Sequence, residues 1–229
     1  MIVNYNELKN EIKSILQQVK VGVGSSGITN KVYILTWLIY QYKLKITCDL
    51  GVYYGGTLFP QAFIHNKYTN GIVYGIDPYT KEDAKQCEAS PALISTLDDY
   101  IAKTDFDEIY NSVIELIKVF RYENNIVLLK QRSDAAIEYF KKNNIYFDLI
   151  LIDGNHDTTN VVSDVNLYLP RVKENGYIIL DDIHYQSVKP AYDLVKLNTL
   201  CCYEEECFAV FQKSKEMDIN FKTLLGQFK

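Results

Sequence analysis

The stretch YFDLILIDGNHDTTNVVSDVNLYLPRVKENGYIILDDIHY, residues 146–185, holds two apolar runs of strand length separated by a helix-length interval. The first run ends at Asp153 and the second at the pair Asp181 and Asp182, with His156 three residues past the first acid. Apolar strands that alternate with helices build a parallel sheet covered on both faces. Ligands of such open sheets bind beyond the carboxyl ends of the strands, so three carboxylates and an imidazole are expected to gather there. Three oxygen donors beside open positions suit a hard cation such as Mg²⁺.

Upstream, KITCDLGVYYGGTLF (45–59) reads as a short strand that stops at Asp49-Leu50-Gly51 and resumes as a helix after Gly55, Gly56 and Thr57. A strand, a glycine turn and a helix start bring backbone N–H groups close to a ligand. The spacing is D-x-G-x-x-x-G rather than G-x-G-x-x-G, which argues against a nicotinamide enzyme. GIVYGIDPY (71–79) is a second strand ending in Asp77, an acid placed to accept hydrogen bonds from ribose hydroxyls. A glycine turn alone is as often a structural tight turn, and a lone strand-end aspartate is usually solvated or a cap; together they are far more specific.

NIVLLKQ (125–131) is a third strand, followed by Arg132, Ser133 and Asp134 and a helix over 135–144. The interval from Thr159 to Val172 is helical, as is 186–197, and apolar runs at 201–203 and 207–212 form an antiparallel pair at the sheet edge. Two helical patterns, near 91–102 and 106–120, fill a long insertion over 79–124, where lids and specificity elements are often found. At the front, residues 4–19 are helical. The loop VGVGSSGITN then leads into the apolar helix KVYILTWLIYQY (31–42), read as a packed core or cap helix, whose preceding serines could cap it or lie over a ligand.

The 229 residues fit one domain over 1–229, with 1–44 as a helical cap and 79–124 as a helical, lid-like insertion. A net charge of minus five argues against nucleic acid as a partner. No apolar run is long enough to span a membrane, and the start lacks the pattern of a signal peptide. Five cysteines without a CxxC pair suit a reducing compartment. The expectation is a cytoplasmic protein, a homo-oligomer if its N-terminal apolar helices pair.

The motifs ITCDLGVYYGG, GIVYGIDPY, LLKQRSDAA, FDLILIDGNHD and GYIILDDIH, in this order over residues 46–184, resemble those of class I S-adenosylmethionine-dependent methyltransferases. The likeness is to the macrocin-type sugar and natural-product O-methyltransferases. It implies a Rossmann-like, seven-stranded, mostly parallel sheet with an antiparallel edge hairpin and helices on both faces. By position it implies that Asp49, Gly51 and Gly55 take the methionine and ribose side of S-adenosylmethionine, and that Asp77 binds the ribose. Ser133 and Asp134 fall beside the adenine, and Asp153 lies at the cofactor as well. The resemblance further implies a divalent metal, Mg²⁺, on Asp153, Asp181 and Asp182, with His156 as base. The reaction expected is methyl transfer to a hydroxyl of a carbohydrate, nucleotide sugar or glycosylated small molecule. The alternatives are a metal-independent methyltransferase and a non-catalytic module that binds the cofactor.

Overall fold

The structure, a computed structural model, describes residues 4–20 and 30–214. Seven strands form one sheet: β1 Ile46–Leu50, β2 Ile72–Ile76, β3 Ile126–Leu129, β4 Phe147–Ile152, β5 Val172–Asp181, β6 Leu200–Glu204 and β7 Phe208–Gln212. Among the described residues the helices are α1 Tyr5–Leu16, α2 Asn30–Tyr42, α3 Leu58–Ile64, α4 Lys81–Ala84, α5 Pro91–Lys103, α6 Phe106–Phe120, α7 Ser133–Lys142, α8 Thr158–Tyr168 and α9 Lys189–Asn198. The strand order is β3-β2-β1-β4-β5-β7-β6, parallel except for β7, which runs antiparallel to both its neighbours. The expected mostly parallel sheet with an antiparallel edge hairpin is thus the fold observed.

Strand alternation divides the core. Cys48, Leu50, Ile150, Ile152, Ile178 and Leu180 face α7, α8 and α9. Leu149, Leu151, Tyr177 and Ile179 face the other way, onto α1 and α2. Because side chains alternate along a strand, Asp49 lies opposite Leu50 in sense and turns toward α3, where Thr57 and Gln61 meet it. The chain lays β1, β2 and β3 toward one edge and then returns to place β4 against the other side of β1. This reversal of strand order opens a crevice at the carboxyl ends of β1 and β4, and it brings Gly51 beside Asp153.

Local differences from the sequence expectation have physical causes. The helix expected over 159–172 stops at Tyr168, because Pro170 cannot continue it, and a short 3₁₀ turn, Leu169–Arg171, leads straight into β5. Strand β5 therefore starts at Val172 and carries an irregular register against β4 between Phe147 and Leu149. Helix α3 continues as a π-helical turn over His65–Thr69, which lets His65 face the sheet. The apolar helix α2 is buried from Lys31 to Tyr40, the core role expected for it. The serines expected to cap it lie outside the described residues.

His65 is fully buried and joins β1 to this π-turn, with Nε2 2.9 Å from Thr47 Oγ1 and Nδ1 2.8 Å from Thr69 Oγ1. Burial pushes its pKa down to about 4, with Asp148 pulling weakly the other way. The unfolded chain therefore takes up this proton first, so the stabilisation is complete above about pH 6.5 and is lost as pH falls toward 4. We expect roughly 3 kcal/mol of pH-dependent stability from this ring in that window. Chemical denaturation at pH 7, 5.5 and 4.5 measures it: the slope should be present in the wild type and reduced in His65→Gln.

Candidate functional site

The strand ends meet as backbone. Gly51 N–H donates to Ile76 O and Asp153 N–H to Leu50 O, each at 2.9 Å, which ties the ends of β1, β2 and β4 together. Gly51 has φ +91°, and a Cβ on it would lie 2.0 Å from the Asp153 carbonyl oxygen. Only glycine fits that approach. Gly55, at φ +86°, closes the same turn under Phe59.

Asp77 stabilises the turn from β2: its Oδ2 accepts Tyr53 N–H at 2.9 Å and its Oδ1 accepts Tyr79 N–H at 2.8 Å. Both donors have left-handed backbones, φ +50° and +51°, a conformation that persists in non-glycine residues where surroundings enforce it. Burial raises the Asp77 pKa, and the backbone N–H groups oppose that shift. Asp49 is fully buried. Its Oδ2 accepts Thr57 Oγ1–H at 2.7 Å and Gln61 Nε2–H at 3.3 Å, while its Oδ1 has no hydrogen-bond partner. Burial pushes its pKa up to about 7, with Thr57 working against the shift. A buried carboxylate with one unsatisfied oxygen beside a glycine turn fits a cationic ligand group, and the donors and the turn together fit the ammonium and ribose of S-adenosylmethionine.

Ser133 begins α7, yet its hydroxyl donates to Asp164 of α8, and its carbonyl accepts the Tyr168 hydroxyl at 2.8 Å. Asp134 is exposed and paired with Arg132 at 3.2 Å; Arg132 also reaches Asp83. Asp164, pushed up to about 6 by burial, lies behind Gly154.

At the ends of β4 and β5 the structure brings together Asp153, His156 and Asp182, each presenting a donor atom within 4.8 Å of the others. His156 Nε2 lies 2.8 Å from Asp182 Oδ2 and 4.0 Å from Asp153 Oδ1. The Asp182 contact is close but misaligned, so Nε2 is buried without a hydrogen-bond partner. Burial disfavours the charged ring, but Asp182 and then Asp153 and Asp181 outweigh it and raise the His156 pKa. Asp182 itself has a left-handed backbone, φ +53°, and a lowered pKa, because His156 overcomes the effect of burial.

Asp181, the third expected donor, is turned away from this group. Its Oδ2 and Asp153 Oδ2 both accept from the Lys31 ammonium, the latter at 2.6 Å. Burial raises the Asp181 pKa, and Asp153 adds to it while Lys31 pulls it back. Lys31 is only 7% exposed; burial works against its charge, but Asp153 and Asp181 hold it above the ordinary lysine range. Sequence reasoning passed over Lys31 as part of an apolar helix. The available signal was a lone cation in the first turn of that helix, where the dipole disfavours positive charge.

The loop after β4 is clasped by the segment around α4. Asp157 accepts the backbone N–H groups of Cys87 at 2.8 and 3.0 Å and of Glu88 at 2.9 Å. Asn155 Nδ2 donates to Asp83 O at 3.0 Å and Lys85 O at 2.6 Å. Glu88 accepts from Thr158 in return, and Gln86 Nε2 lies 3.1 Å from His156 Nδ1. None of these partners carried a recognisable motif. Tyr185 packs against His156, centroids 5.5 Å apart, and against His184 at 4.2 Å.

The two carboxylates of Asp153 and Asp182, with His156 beside them, are chemically suited to a divalent cation. Mg²⁺ is commonly held by one or two carboxylates with water and substrate completing its shell.

A family profile described as a methyltransferase domain matches residues 48–183. An uncharacterized protein of Acanthamoeba polyphaga mimivirus is 26% identical over 135 residues, 58% of this chain and 49% of that protein. The chain thus matches about half the length of that relative. Among solved structures, the O-methyltransferase NovP superposes with TM-score 0.65 at 11% identity, covering 93% of this chain and 100% of its own. TomG from Streptomyces achromogenes, an O-methyltransferase involved in tomaymycin synthesis and solved with SAM, gives 0.60 at 8% identity, covering 93% and 92%. The O-methyltransferase from Bacillus cereus in complex with SAH gives 0.58 at 12%, covering 91% and 90%. At such identities the structures share the fold, and the profile match runs from the middle of β1 past Asp182. The chain belongs to this methyltransferase-domain family and has the fold of these O-methyltransferases.

Proposed function

We propose that the chain transfers the methyl group of S-adenosylmethionine to a hydroxyl of a carbohydrate-type small molecule: a free sugar, a nucleotide sugar or a glycosylated compound. The observation that carries this reading is the meeting of His156 with Asp153 and Asp182 one strand away from the Gly51 turn. O-methyl transfer accords with the solved relatives, and the carbohydrate class follows the resemblance to the macrocin-type enzymes. Tyr185 offers an aromatic wall next to His156, against which a sugar ring can lie. The cofactor would rest on Asp49, Gly51, Gly55 and Asp77, with Ser133 and Asp134 on the adenine side and Asp153 between cofactor and acceptor.

The transfer is an in-line displacement in which the S–CH₃ bond breaks as the O–CH₃ bond forms. The sulfonium becomes a neutral thioether, and the acceptor proton must leave. His156 takes that proton, and Asp182 beside it stabilises the resulting imidazolium. Gln86 on the other ring nitrogen fixes the orientation of the ring. Holding the hydroxyl and the methyl group in line supplies up to about 7–11 kcal/mol in favourable cases. A divalent cation held by Asp153 and Asp182 would acidify and orient the acceptor hydroxyl. Segment 79–124, clasped onto the His156 loop, would shape the acceptor side. A metal-independent enzyme is the second reading, and the Lys31 ammonium on Asp153 and Asp181 favours it.

Methyl transfer to a panel of sugars and nucleotide sugars should be lost in excess chelator and restored by Mg²⁺; undiminished turnover in chelator would leave the metal-independent reading. His156→Ala should retain S-adenosylhomocysteine binding and lose at least about a hundredfold in kcat. A smaller loss removes His156 as base.

Asp49 supplies an independent check on the cofactor side. Burial pushes its folded pKa up to about 7, well above the ordinary carboxylate range, so the folded state holds the proton more tightly. The cost of its ionised form grows from about pH 4 to 7 and is complete above. Asp49→Asn should stabilise the ligand-free protein at pH 8 by at least about 1 kcal/mol while weakening S-adenosylhomocysteine about tenfold or more. Thermal melts and calorimetry read the two effects separately; an unchanged cofactor affinity would exclude Asp49 from the site.

A further inference from the structure

We infer that the acid cluster has two cation positions and that Lys31 permanently fills one of them, its ammonium standing between Asp153 and Asp181 where a metal ion would otherwise sit. This rests on the cation reading proposed above. It assigns Asp181 to Lys31 and leaves a single divalent-cation position on the Asp153, Asp182 and His156 side.

The division of oxygens supports this. Asp153 gives Oδ2 to Lys31 and turns Oδ1 toward His156, so one carboxylate serves both positions. Asp181 gives Oδ2 to Lys31, and the mutually close donors are Asp153, His156 and Asp182 without it.

Lys31 is also fixed in place. It stands in the first turn of α2, and every residue from Lys31 to Tyr40 is buried. Asn30 beside it donates to Glu205 Oε1 at 3.1 Å, joining the helix start to the β6–β7 turn. The helix dipole disfavours a cation at this end, and a lysine is rarely buried without partners. The two carboxylates account for its position, and the apolar helix holds it there.

Charge accounting points the same way. With Lys31 and a dication holding all three carboxylates ionised, three negative charges against one ammonium leave two, which the dication cancels when His156 is neutral. Without Lys31 the same dication would leave a buried negative charge, a costly state.

The test is Mn²⁺ titration of the full chain by electron paramagnetic resonance, with S-adenosylhomocysteine present and its binding confirming that each variant is folded. Wild type should take up one Mn²⁺. Asp182→Asn should weaken it at least about thirtyfold and Asp181→Asn by less than about fivefold, as expected for ligand and non-ligand. Lys31→Met should bind Mn²⁺ about tenfold tighter or take up a second ion, and Lys31→Met with Asp181→Asn should lose that gain. Equal weakening by Asp181→Asn and Asp182→Asn makes Asp181 a ligand and overturns the inference while the cation reading stands. That comparison needs no folded Lys31 variant. Mn²⁺ uptake by Lys31→Met but not by wild type overturns the inference, because the position on the Asp153, Asp182 and His156 side is then no cation site, and it overturns metal dependence of the wild type as well. Absence of Mn²⁺ from every variant overturns both.

Discussion

Among the described glycines the tightest fit is that of Gly51 against the Asp153 carbonyl, so tight that a methyl group there would overlap the oxygen. It exists because β1 and β4 are neighbours although two βα units separate them in sequence. A ligand crevice opens where adjacent parallel strands send their connections to opposite sides. Here that crevice is floored by backbone alone, so the donor turn and the acid-bearing strand stand one strand spacing apart. Asp49, one position short of the β1 end, and Asp153, one past the β4 end, are therefore close enough for the charge of Asp153 to add to the rise in the Asp49 pKa. Asp77 then fixes the turn from the far side, through two residues whose left-handed backbones would relax if its carboxylate were absent.

A second constraint is electrostatic. The sheet ends carry more carboxylates than they have cations to match. On the donor side this leaves a fully buried Asp49 with one oxygen unsatisfied, which costs stability in the empty protein and is relieved by a positively charged ligand group. On the acceptor side Lys31 relieves part of the excess and leaves the Asp182 side open. Both arrangements put strain where binding can release it, the general expectation for a site.

The fold was legible because parallel strands buried on both faces are apolar runs, and β1, β2, β4 and β5 each end at or just before an acid or a glycine. The seven-stranded, mostly parallel sheet with an antiparallel edge hairpin followed from the family resemblance and is the one observed. Of the three carboxylates and the imidazole expected to gather at the strand ends, Asp153, His156 and Asp182 lie mutually close, since residues at adjacent strand ends converge. Three things were not. The α8 boundary depended on Pro170 overruling helical spacing. The hydrogen bond from Ser133 to Asp164 could not be read, because Asp164 sits on the buried face of a helix with no sequence signal. Lys31 reaches the acids from well over a hundred positions away, on a helix whose apolar composition speaks only of burial.

The clasp between the α4 segment and the His156 loop shows why an insertion of weak sequence signature matters to the chemistry. Asp157 and Asn155 bind main-chain atoms of residues 83–88 rather than side chains, so almost any sequence there satisfies them, and none is diagnostic. The consequence is mechanical. His156 lies between Asn155 and Asp157, and Gln86 lies between Lys85 and Cys87, so the imidazole and its amide partner are each flanked by anchored backbone. The ring is held by two segments that meet only in the folded chain, and its orientation depends on the insertion as much as on β4. An acceptor that displaced residues 83–88 would also disturb His156. Access to the space beside His156 is therefore coupled to the placement of its ring, a coupling that a loop anchored by side-chain contacts alone would not impose.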